Sequence, residues 1–176
     1  VWSAWGECVR GFSARSLAVI VGEAGDLSNY PEKGHLWKRM GVAVIDGIAQ
    51  GKLAKTASKS DWIAHGYNKA RRSRMFVIGD GLVKQGDEYR AVYLARKEYE
   101  RQRAEAAGLI VAPSAKIPKA RAHEFISDGH IHRMAQRYME KRLLRDLWKA
   151  WRRATPGLAI RPDHPFPAAE NRGRAA

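Results

Sequence analysis

Residues 128–154 read DGHIHRMAQRYMEKRLLRDLWKAWRRA. Ile131, Ala135, Tyr138, Met139, Leu143, Leu144, Leu147, Trp148 and Trp151 recur at three- and four-residue steps, the period of a helix with one broad apolar band. Asp128 opens the stretch and Thr155-Pro156-Gly157 closes it. A helix of this length spans about 40 Å at 1.5 Å per residue, and its band must be covered by other elements. The stretch sets the expected class, a mostly α fold whose last helix is long.

Working outward, the preceding chain predicts four shorter helices. Ser13 caps the first, which runs to about Glu23 with Leu17, Ile20 and Val21 on its apolar side and ends at Gly22 and Gly25. Pro31 suits the first position of the second, which carries Leu36, Trp37 and Met40 and stops near Gly41. Val42 to Ile45 is a short apolar run that reads equally as a strand or a buried connection. Residues 46–60, rich in Gly, Lys, Ser and Thr, read as a flexible loop. The third helix covers about Asn68 to Lys84, with Met75, Phe76, Ile78, Leu82 and Val83; Gly79 and Gly81 each weaken it by about 1 kcal/mol relative to Ala. The fourth covers about Asp87 to Ala107, with Tyr89, Val92, Tyr93 and Arg96 on one side, and closes at Gly108. Residues 108–126 contain Pro113 and Pro118 without a clear period and read as a connecting loop, while 155–176 hold four prolines and read as a disordered tail.

The charge balance points to a partner. The chain has 32 Lys and Arg against 18 Asp and Glu, a formal net charge of +14 over 176 residues. Such an excess favours a polyanion, and phosphate chains are the commonest one. No apolar run approaches the about 20 residues of a membrane span. Val1 to Trp5 lack the basic start and apolar stretch of a signal peptide. The expected setting is cytoplasmic, and nucleoid-associated when bound. Cys8 is the only cysteine, which excludes an internal disulfide or a multi-cysteine zinc site and reads as a small, partly buried thiol. The chain opens on Val1, which fits either a fragment or a non-standard start codon.

The candidate contacts are basic. On the last helix Arg133, Arg137, Lys141, Arg145, Lys149 and Arg153 fall at every fourth residue, advancing about 40° per step, so they spiral and three or four face one phosphate strand. Lys69, Arg71, Arg72 and Arg74 open the third helix, where cations oppose the macrodipole and so suit a ligand contact better than helix stabilisation. Lys52, Lys55 and Lys59 add charge in the loop before it; Ser58 and Ser60 there read either as phosphate donors or as caps. His130 and His132, two residues apart on a helix, face different ways and make a poor metal pair. Asp26, Asp46, Asp61 and Asp80 fall in no motif that would group them around Mg²⁺. No cofactor, metal or catalytic residue is assigned.

Three further stretches carry a resemblance. Gly11-Phe12-Ser13-Ala14-Arg15-Ser16-Leu17-Ala18 resembles the hairpin and second helix of a helix-hairpin-helix unit, with Ser13 where the second Gly of the turn belongs. Val21-Gly22-Glu23-Ala24-Gly25-Asp26-Leu27-Ser28-Asn29-Tyr30-Pro31 leads to Leu36-Trp37-Lys38-Arg39-Met40-Gly41-Val42-Ala43, and Gly66-Tyr67-Asn68-Lys69-Ala70-Arg71-Arg72 follows. Together, over roughly residues 8–105, these are similar to the C-terminal domain of DEDD-type insertion-sequence transposases, the family that includes the RNA-guided bridge recombinases.

The resemblance implies a helix-hairpin-helix unit within residues 1–107, followed by three further helices, the last being the basic helix of 127–154 packed on the same domain. It implies DNA as partner, with structured RNA as the other phosphate chain. Gly11, Ser13 and Arg15 would lie where backbone N–H groups and one added charge meet phosphate. The family's strand exchange uses an RNase-H-like domain with four acidic residues and a serine in a Ser-Gly pair. The matching place here is Ala49-Gln50-Gly51-Lys52, and Gln50 cannot serve as that nucleophile. Three readings stand: a backbone-directed DNA-binding domain, a recombinase fragment completed by a separate catalytic domain, and a basic adaptor for an acidic protein. Homo-oligomerisation is left open.

Overall fold

The computed structural model describes residues 1–158, so the tail from residue 159 onward lies outside the described residues. Six α-helices are described: α1 Ala14–Ala24, α2 Lys33–Arg39, α3 Lys59–His65, α4 Lys69–Gln85, α5 Glu88–Ala106 and α6 Asp128–Ala154. Two small strand pairs accompany them. β1 (Val44–Ile45) and β2 (Ile48–Ala49) form an antiparallel hairpin, and β3 (Ile110–Ala112) lies parallel to β4 (Phe125–Ser127). The chain is mostly α with a long last helix, as the apolar period of 128–154 predicts.

Local chemistry sets most helix starts. Ser13 Oγ accepts from Ser16 N at 3.1 Å, Asn68 Oδ1 from Arg71 N at 3.0 Å and Ser127 Oγ from His130 N at 3.1 Å. Helix α2 starts at Lys33, two residues after the proline expected to open it. Helix α3 lies inside the stretch expected to be a flexible loop. Ser58 Oγ accepts from Asp61 N at 3.1 Å and Asp61 Oδ2 from Ser58 N at 3.0 Å, a complete capping box. Ser58 is therefore a cap. The connection of 108–126 is likewise ordered: β3 pairs with β4 from Ile110↔Phe125 to Ala112↔Ser127, which delivers Ser127 to the cap of α6.

Helix α6 is the axis of the fold, packed by α2, α4 and α5. Ile131, Ala135, Met139, Leu143, Leu144 and Leu147 on α6 are fully buried, as are Ile20, Leu27, Leu36, Met40, Met75 and Leu82 from the other elements. Indole N–H groups tie the periphery to it: Trp37 Nε1 donates to Lys141 O, Trp148 Nε1 to Tyr30 O, and Trp151 Nε1 to Asp26 Oδ1, each at 2.9 Å. The apolar bodies pack while the one polar atom finds an acceptor. Cys8 is exposed rather than partly buried, because the short 3-10 turn of Gly6–Cys8 puts Gly6 inward, under the Trp2 ring. No described helix is long and apolar enough to cross a membrane.

Candidate nucleic-acid interface

The turn at Gly11 is closed by the protein itself. Gly11 adopts φ +81, and a Cβ there would stand 3.0 Å from Gly86 N and 3.3 Å from Gly81 O. A side chain would meet main-chain atoms that cannot move aside, so the close approach that glycine permits is to the C-terminal end of α4. The side of Gly11 that lacks a side chain is thus filled by α4 itself rather than by a partner. Ser13 spends its hydroxyl on the α1 cap. Arg15 is exposed and makes no ion pair with a described carboxylate.

From this contact α1 runs back along α4, which brings Glu23 to the other end. Arg71 Nε lies 3.2 Å from Glu23 Oε2, and Arg74 pairs with Glu23 Oε1. Arg71 Nη1 also donates to Arg39 O at 3.2 Å. Arg72 points inward and meets Glu140 of α6, Nη1 to Oε2 at 2.9 Å. The arginines that seemed to oppose the helix dipole are thus compensated from other helices. The sequence reading is corrected at Arg72 above all, whose side chain is 13 % exposed.

Glu140 is fully buried. Burial pushes its carboxyl up to about 7, against the opposing pull of Arg72 and Arg137. Gln136 Nε2 donates to Phe76 O at 2.8 Å and to Glu140 Oε1 at 3.2 Å. Gly79 makes this possible: a Cβ there would fall 2.6 Å from Glu140 Oε1 and 2.8 Å from Gln136 Nε2. The glycine that weakens α4 as a helix is what lets α6 place polar groups against it.

Arg137 is also turned inward. Its Nη1 donates to Gln50 O at 3.0 Å and reaches Ala43 O at 3.4 Å, bridging the two chain segments at the base of the β1–β2 hairpin. Burial, then the charge of Arg72, lowers its pKa from the usual arginine value. Lys141 lies with Nζ 4.5 Å from the Trp37 ring centroid, and burial lowers its pKa. Arg145 pairs with Asp146 at 2.7 Å. Of the six α6 cations at every fourth residue, Arg133 and Arg153 are exposed, and neither forms an ion pair with a described carboxylate.

Open cations lie on several elements, Arg15, Arg90, Lys116, Lys119 and Arg153 among them, and three more sit on segments that meet at the junction of α3 and α4. Lys69 is exposed on the first turn of α4. Gly66, which caps α3, has Lys38 Cε 3.9 Å from the point its Cβ would occupy. His65 Nε2 sits 2.8 Å from Gly51 O, which places Lys52 beside the same junction. Arg137 holds Gln50 O, while Arg133, one helical turn before it on α6, turns its Nη1 back toward Gly129. Lys38, Lys52, Lys69 and Arg133 are all exposed, and none pairs with a described carboxylate. Lys55 is exposed a few residues further along the same loop. Lys38 was missed from sequence, because only the tertiary contact with Gly66 brings α2 to this place.

Gln50 is 1 % exposed, with Nε2 donating to His65 O at 2.8 Å. It is a structural pin at the position where the resembled family carries its nucleophile. His132 does not face His130: its Nδ1 meets Tyr93 OH at 2.8 Å. No family model matches the chain, and no curated protein or solved structure is significantly similar to it.

Proposed function

We propose that this chain is a nucleic-acid-binding domain that grips the sugar-phosphate backbone of DNA through the α3–α4 junction and performs no chemistry alone. The observation that carries the reading is the set of exposed cations Lys38, Lys52 and Lys69, unpaired with any described carboxylate, on three segments that meet at this junction, with Arg133 exposed further along α6. Stability offers no reason for collecting like charges there, and a phosphate chain offers one. Kinship with the C-terminal domain of insertion-sequence transposases is part of the proposal, and so is nucleoid association in the cell. The inward-facing Gln50 supports the view that strand exchange would need another protein.

Fluorescence anisotropy with a short random-sequence duplex at several salt concentrations tests this. Each neutralised phosphate contributes a slope of about 0.9 in log affinity against log salt, so four contacts give a slope near 3 to 4. A flat plot, or tighter binding to an acidic peptide that duplex DNA cannot displace, overturns the reading.

A further inference from the structure

We infer that the β1–β2 hairpin is an apolar wedge that inserts between base pairs of duplex DNA and kinks it, an inference that rests on the DNA-binding reading above. The ladder is only two pairs long, Val44↔Ala49 and Ile45↔Ile48. Its turn residues both have positive φ, Asp46 at +50 and Gly47 at +77, as a tight type I′ hairpin requires. An isolated hairpin of this size is unstable in water. Here its base is fixed from three directions. Gln50 N donates to Ala43 O at 2.9 Å, Arg137 of α6 reaches the carbonyls of both residues, and Gln50 Nε2 is held by His65 O of α3.

The residues so rigidly presented are apolar and in water. Ile48 is 73 % exposed on one face of the ladder and Val44 is 49 % exposed on the other. Desolvating a guanidinium to brace a hairpin that buries neither residue gains the isolated fold nothing evident. A base step supplies what is missing: proteins that kink DNA push β-branched or other apolar side chains between bases while cations hold the flanking phosphates. Lys52 follows the hairpin directly, and Lys38 and Lys69 lie at the junction to which its base is tied. A second copy of this chain is the poorer occupant, since it would bring a formal charge of +14 against the same cations. Asp46 is the one carboxylate of the tip, and its short side chain suits the left-handed turn.

The test uses the full chain and a short duplex with 2-aminopurine at a central TA step and a dye at each end. Wild type raises 2-aminopurine fluorescence at that step and shortens the end-to-end distance. Ile48→Ser and Val44→Ser, at exposed positions, keep the helical circular dichroism and the salt slope. They lose most of the fluorescence rise while affinity falls by no more than about tenfold. Binding with a full salt slope and neither signal overturns the wedge and leaves backbone binding standing. No salt-dependent binding overturns both. A concentration-dependent dimer abolished by Ile48→Ser gives the hairpin to a second copy and also overturns the wedge.

Discussion

The Gly11 turn and the basic start of α4 were both candidates from sequence, and the fold places one at each end of α4 and treats them differently. At the C-terminal end, Gly81 and Gly86 receive the backbone of Gly11, and main chain packs on main chain. At the N-terminal end, α1 contributes Glu23 against Arg71 and Arg74, α6 contributes Glu140 against Arg72, and Lys69 is left open beside Lys38 and Lys52. The 17 residues between the ends span about 25 Å. The difference teaches that a glycine-rich turn and a cluster of arginines are each ambiguous until it is known what else in the chain competes for them. Here the turn packs on α4 and Arg71, Arg72 and Arg74 meet carboxylates, so the proposed binding surface is what remains after both.

The largest expected effect strikes the closed side. Glu140→Ala leaves Arg72 and Arg137 facing each other in the interior and costs about 3–5 kcal/mol in denaturant unfolding. Gly11→Ala is expected to cost about 1–3 kcal/mol, through the left-handed backbone and the approach to Gly86. The buried carboxyl also gives a pH signature. Its folded pKa, about 7, exceeds its ordinary value of 4.5, so the folded state holds the proton longer than the unfolded one. Its contribution to stability therefore falls as pH rises from 4.5 to 7 and is level above that. Glu140→Gln should gain several degrees in melting temperature relative to wild type between pH 5 and pH 8; an unchanged difference would show that the group does not titrate in that range.

On the open side the effects are on binding. Lys69→Glu or Arg133→Glu should alter stability by less than about 0.5 kcal/mol while weakening DNA binding severalfold at low salt. The smallest effect expected is at the hairpin tip. Asp46→Asn keeps the left-handed turn and removes one repulsion from phosphate, so affinity should rise by about twofold or less, read by the same anisotropy titration.

How much of this was legible in the sequence follows from range. The apolar period of 128–154, the caps at Ser13 and Asn68 and the stops at Gly25 and Gly108 are local, and the helices appear close to where those signals put them. Helix α3 was hidden because its seven residues carry almost no period and bury none of their side chains, although Ser58 and Asp61 spell a capping box. The hairpin was hidden behind a short apolar run, although Asp46-Gly47 between β-branched residues is a turn signal in its own right. The site was less legible than the fold. Whether Arg72 faces Glu140 or solvent depends on a helix 68 positions away in sequence, and no spacing rule reaches that far.

Phosphate is proposed to be held at the α3–α4 junction and not at the Gly11 turn. The direct measurement compares the slopes of log affinity against log salt for two charge-removal variants on one duplex. The combined Lys38→Gln, Lys52→Gln, Lys69→Gln and Arg133→Gln chain should lose about 3 to 4 in slope, and Arg15→Gln should lose almost nothing. Equal slopes for the fourfold variant and wild type, or a loss confined to Arg15→Gln, would contradict it.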